Sequence, residues 1–184
     1  MDLYLLLKFA HVIAAVLWVG AGVGLCILGI AASAASDRDG FMRIIRNVGF
    51  LAPRLFMPAS VAAFIFGFAA AWMGWGFSML WVWLGIVGYA ATFLTGNFLL
   101  RPRAERIGAL IARDGVSDEA FALGNELLQI SKFDYVMLFV VIADMVFKPT
   151  PTDWPVLAAM GLALAAAAIA FLPPVFRAHR AVTA

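Results

Sequence analysis

The stretch LYLLLKFAHVIAAVLWVGAGVGLCILGIAA, Leu3 to Ala32, decides the fold class. About 20 predominantly apolar residues suffice to cross a bilayer as a helix, and this run contains only two basic side chains, Lys8 and His11. Ala31-Ala32-Ser33-Ala34-Ala35-Ser36 looks like a small-residue cleavage site. The opening Met1-Asp2 offers no basic leader, however, and the run is roughly twice the length of a signal core of about 7–15 residues. A retained transmembrane helix is the expectation. The whole composition agrees: of 184 residues 65% are hydrophobic and 13% charged, whereas soluble domains are roughly half apolar and about a quarter charged. So much apolar surface must face lipid, which excludes a cytosolic enzyme, a disordered chain and a secreted disulfide scaffold. The single cysteine, Cys26, is consistent with that, and the formal charge of +2 is too small to indicate nucleic acid.

Working outward, further apolar runs cover about 48–74, 77–100, 133–147 and 155–176. Pro149, Pro151 and Pro155 separate the last two, since proline cannot continue a helix. The expected architecture is all-α, a polytopic bundle of five transmembrane helices forming one integral membrane domain over residues 1–184. Basic residues orient it. Arg38, Arg43, Arg46, Arg101, Arg103, Arg106, Arg113, Lys132, Arg177 and Arg180 fall on one side, only Lys8 and Lys148 on the other, and Arg54 within a span. That asymmetry predicts the N-terminus outside and the C-terminus in the cytoplasm. Trp72, Trp75, Trp81, Trp83 and Trp154 all fall near the outer interface, where they read as an anchoring belt. Segment 101–132 is the one sizeable polar region. Asp114-Gly115 breaks it, Ser117-Asp118-Glu119 reads as a helix start, and each half has an apolar side. Two short amphipathic helices lying on the cytoplasmic face are expected, the second running into the fourth span.

Ionisable side chains inside spans are expensive and normally face the bundle interior in pairs. Here they fall into two groups. Near the outer surface are Lys8 and His11, three residues apart on one face of the first span, with Asp144 and Lys148 one turn apart on the fourth. This group is the candidate cofactor site, with His11 the candidate metal ligand, Asp144 the expected partner of its imidazole or of Lys148, and a cavity expected beside it toward the outer face. Nearer the cytoplasm are Arg54, Asp134 and Asn97, for which an Arg54–Asp134 ion pair with Asn97 as helper is the economical arrangement. Pro58 should disturb the helix one turn beyond Arg54.

The run Lys8-Phe9-Ala10-His11, followed by Trp18 and Gly20, resembles the opening helix of HemJ-type protoporphyrinogen oxidases and of CopD-type copper-resistance membrane proteins. Over most of its length, including Asp134 and Met145-Val146-Phe147-Lys148-Pro149, the chain is similar to the bacterial predicted integral membrane proteins called domain of unknown function 2269. Where the HemJ pattern has an Asn-Glu-x-Pro-type segment, this chain has Asn125-Glu126-Leu127-Leu128. The resemblance thus implies a heme or metal ligand at His11 with Lys8 beside it, in a bacterial inner membrane, rather than the oxidase reaction.

The favoured reading is a non-catalytic membrane subunit or assembly partner. It would join copies of itself or a membrane complex through small-residue faces such as Gly20/Gly24 and the alanines of 158–170. One alternative is a heme-binding or redox-linked protein holding heme b on His11. Another is a proton- or copper-handling transport protein with His11, Asp144, Arg54 and Asp134 as stations. The copper version is weaker, because the eight methionines form no MxxM cluster. Walker loops, HExxH and CxxC are absent, so no enzyme class is assigned.

Overall fold

The computed structural model describes residues 2–173 and residue 175. Among these the regular structure is entirely helical, in five continuous helices: α1 (Leu3–Ala34), α2 (Arg38–Gly74), α3 (Leu80–Asp114), α4 (Asp118–Phe147) and α5 (Trp154–Phe171). Arg177, His179, Arg180 and the end of the expected 155–176 span lie outside the described residues.

Local chemistry explains the boundaries. Asp2 caps α1 by accepting from Tyr4 N–H at 3.0 Å. Ser36 takes φ 58° in the turn to α2, where Asp37 accepts from Gly40 N–H at 2.8 Å. Gly115, at φ 73°, ends α3, and Ser117 accepts from Ala120 N–H at 3.2 Å to start α4. Lys148 leaves α4 at φ 48°. In the loop that follows, the Thr150 hydroxyl and amide donate to Asp153 at 2.7 and 2.8 Å and hold its carboxyl below the usual carboxylate range.

Two helices widen without breaking. α2 passes through a π-turn at Ala52–Phe56 and α3 through another at Thr95–Leu100. Each lies just ahead of a proline, Pro58 and Pro102, whose ring clashes with the carbonyl four residues earlier and removes a helical hydrogen bond. A π-turn absorbs both effects.

α1, α2, α3 and α5 are long and apolar enough to cross a membrane. α4 is long enough but not apolar enough, because its last 18 residues hold Lys132, Asp134 and Asp144. It nevertheless runs the height of the molecule. Asp118 and Glu119 at its start bind Arg38 and Arg106, and Lys148 just past its far end meets Trp75 of the α2–α3 connection and Trp81 in the first turn of α3.

At the end bearing the α1–α2 and α3–α4 turns, the helices converge on a core of Phe41, Met42 and Ile45 from α2, Ile107 and Leu110 from α3, and Ala120, Leu127 and Leu128 from α4. Gly124 admits the Phe41 ring; a Cβ there would lie 2.9 Å from it. The second half of the polar segment 101–132 runs into the fourth span as expected, but the first half is not a separate helix. The first half prolongs α3, the second half begins α4, and their apolar sides bury each other. Arg103–Glu126 at 3.5 Å and Arg106–Glu119 at 2.8 Å add ion pairs between the two, each worth about 0–1 kcal/mol. Toward the other end, α1 packs on α2, and α4 packs on α3 and α5. The two walls separate there and leave a cavity.

Candidate functional site

The cavity encloses about 650 Å³ and is almost wholly apolar, within the roughly 300–1,000 Å³ of small-molecule and cofactor pockets. One end is formed by Trp18 of α1, Phe64 of α2 and Tyr89 of α3. Phe64 stacks on Tyr89 at 4.7 Å between centroids, and Trp18 meets Tyr89 edge-on at 5.8 Å. The other end is narrowed by Tyr4, Trp75, Trp81 and Lys148. There Trp75 Nε1–H donates to Tyr4 Oη at 3.2 Å, while Lys148 Nζ lies 4.0 Å from the Trp75 ring centre and 5.3 Å from that of Trp81. Trp75 and Trp81 thus do more than anchor the protein at an interface: they hold an ammonium over their electron-rich faces. Trp72, Trp83 and Trp154 are exposed, as a belt requires. The cavity opens along the seam between α1 and α4, where the lining residues Val12, Val16, Ile142 and Val146 are exposed. It therefore opens sideways rather than only toward the outer face.

His11 projects from α1 into this space. Its Nδ1 lies 2.7 Å from the Ala63 carbonyl oxygen of α2. A carbonyl only accepts, so Nδ1 carries a hydrogen, and in the neutral ring the lone pair is on Nε2. No partner for Nε2 occurs among the described residues. The approach depends on Gly67, one turn after Ala63, because a Cβ at Gly67 would stand 2.6 Å from Nδ1. Gly67→Val is therefore expected to push the imidazole off Ala63 and, if the cavity holds heme, to weaken heme binding about tenfold, the loss of one well-made polar contact of about 1.4 kcal/mol. A ligand titration against the wild type, with thermal unfolding as the folding control, measures this.

Of the outer group, Lys8, His11 and Lys148 line one cavity and Asp144 does not. The expected His11–Asp144 contact is absent because the two face different neighbours. His11 turns to α2, while Asp144 is 1% exposed and turns to α3, with Oδ2 3.6 Å from where a Gly85 Cβ would stand. Asp144 does not pair with Lys148 either, since the left-handed turn at Lys148 carries its ammonium to the indoles. Both carboxyl oxygens of Asp144 lack a hydrogen-bond partner.

The inner group does not assemble. Arg54 is exposed, donates Nη1–H to the Phe50 carbonyl at 3.1 Å and lies over the Phe50 ring at 4.1 Å. Its π-turn packs on α1, while Asp134 is buried on α4 with Oδ1 unpartnered. Asn97 donates to the Phe93 carbonyl at 2.9 Å. Turning back along its own helix gives the guanidinium one carbonyl acceptor and an aromatic face in place of a carboxylate. Among the described residues no three His, Cys, Asp or Glu side chains come together as a metal site.

A family model described as predicted integral membrane protein, DUF2269, matches residues 5–149. The chain belongs to the DUF2269 family. Comparison with curated proteins and with solved structures finds no match. The DUF2269 segment takes in every cavity-lining residue except Tyr4 and stops before α5. The family unit therefore contains the two walls and the site between them.

Sequence reasoning missed Ala63, Gly67, Tyr89 and the Lys148–tryptophan arrangement. A lone glycine within a span gives no sign of which side chain will enter its notch, and a backbone carbonyl acceptor leaves no trace in residue type.

Proposed function

We propose that this DUF2269 protein crosses the bacterial inner membrane five times, N-terminus outside and C-terminus cytoplasmic, and would hold heme b in the outer-half cavity through His11. The observation that carries this reading is the 2.7 Å contact from Nδ1 to the Ala63 carbonyl, which leaves Nε2 as the unpartnered nitrogen of a side chain that lines an apolar, cofactor-sized space. The other residues present fit the group. Phe64, Trp18 and Tyr89 offer flat apolar contacts, Lys8 and Lys148 supply cations for two propionates, and the Met145 thioether lines the same space. Bound heme would supply one-electron exchange or small-gas binding at its iron. His11 would set its position, and the surrounding rings would keep water from it.

The direct test is heme content by pyridine hemochrome on protein purified from heme-sufficient cells. One heme b per chain is expected; none at all would defeat the reading. The orientation rests on the basic asymmetry and on α4 traversing the molecule. A cysteine introduced at Ser117 should resist impermeant thiol reagents in intact cells and react once the membrane is opened. Labelling from outside would reverse the assignment.

A non-catalytic subunit or assembly role has one observation in its favour. Among the described residues α5 packs chiefly on α4, and its Trp154, Leu162 and Ile169 are at least 70% exposed. That face is free to meet lipid or another membrane helix. A heme-free protein that co-purifies with a second membrane protein through α5 would favour this reading.

A further inference from the structure

Eight described arginines lie at or near the convergent end, and five of them have carboxylate partners. Arg38 binds Asp118, Arg101 binds Glu105, Arg103 binds Glu126, Arg106 binds Glu119 and Arg113 binds Asp114. The other three, Arg43, Arg46 and Arg54, have no ion-pair partner among the described residues, and all three are on α2 and exposed. With Phe50 they follow a 3-4-4 spacing, which places them in one stripe along the helix. The other described arginines are neutralised locally, so these three on a single face form a patch of net positive charge, with only Asp39, one turn before Arg43, as a carboxylate on the same stripe.

We infer that this stripe is a binding site for the phosphate headgroup of an anionic phospholipid. Depth selects the occupant. Arg43 and Arg46 lie on the polar part of α2, but Arg54 lies within the apolar run 48–74. Its guanidinium is turned back over Phe50, with one N–H spent on the Phe50 carbonyl. The other guanidinium donors have no side-chain or backbone partner among the described residues, six positions into the apolar run that begins near Val48. Phe50 is 57% exposed at the same level, so acyl chains can lie along the apolar face beyond it. An acidic soluble protein would reach Arg43 and Arg46 but not Arg54. Arginine matches phosphate oxygens bidentately, and basic groups at such positions favour anionic lipids.

This inference stands independently of the heme reading. Native mass spectrometry of the full chain, released from nanodiscs containing equal phosphatidylglycerol and phosphatidylethanolamine, tests it. Retained phosphatidylglycerol should dominate. At about 1 kcal/mol per basic residue, each arginine is worth about fivefold in affinity and the three together about 100-fold. The triple variant R43Q/R46Q/R54Q should lose the preference, and the single variants R43Q and R46Q should each weaken it, which covers the case in which the triple variant does not fold. A control pair, R101Q/R113Q, removes two partnered arginines and should leave the preference intact. Excess inorganic phosphate should not displace the lipid; displacement would identify a simple anion site instead. Equal retention of the two lipids by the wild type, an unchanged preference in the triple variant, or capture of an acidic protein in place of lipid would overturn the inference.

Discussion

Phe41→Ala should destabilise the protein by about 3–5 kcal/mol, the range for truncating a fully buried phenylalanine. Phe41 has no exposed surface and meets Phe121 edge-on at 5.5 Å between centroids. It also fills the notch at Gly124, so α2 and α4 lose their central contact together. Unfolding by SDS titration measures the loss. Phe50→Ala, on the exposed face of the same helix, should change stability by no more than about 0.5 kcal/mol. Equal effects from the two would mean that the convergent core is not the keystone of the bundle.

His11→Ala should remove bound heme from the purified protein while changing SDS stability far less than Phe41→Ala. His11 is only partly buried and bonds one carbonyl, and a helical carbonyl relieved of a side-chain donor still accepts from its own helix. Lys148→Ala should act differently. It removes a cation from the rim and releases Trp75 and Trp81, so affinity falls while the iron spectrum keeps the signature of histidine ligation.

Much of the fold was legible because lipid imposes a coarse code. Runs of apolar residues about 20 long, prolines 149, 151 and 155, the Gly115 stop and the Ser117 cap appear where the sequence places them. Helix continuity was less legible. Pro58 read as a disturbance and Pro102 drew no reading, and a π-turn lets a helix continue past a proline with no change in composition to announce it. The polar segment 101–132 showed its amphipathic sides but not what would cover them, since the Phe41 face of α2 is distant in sequence.

The site was half legible, for a related reason. The cost of a histidine and a lysine inside a span drew attention to Lys8 and His11, and both line the cavity. Pairing intramembrane charges by depth failed twice. His11 chose the Ala63 carbonyl over Asp144, and Arg54 chose the Phe50 carbonyl and ring over Asp134. Depth is readable from residue number, but the rotation of each helix about its axis is fixed by packing notches such as Gly67 and Gly85. Backbone carbonyls and aromatic faces are partners available at every depth, so a charge need not find its opposite.

Whether His11 would hold the heme iron in the α1–α4 cavity is decided by the visible spectrum of His11→Gly with and without imidazole. The glycine variant should purify without a Soret band. Supplying heme together with imidazole, which can occupy the vacated space beside Gly67, should restore the wild-type oxidised and reduced bands. A glycine variant that keeps its heme with an unchanged spectrum, or a wild-type protein that shows no Soret band under the same conditions, would contradict the account.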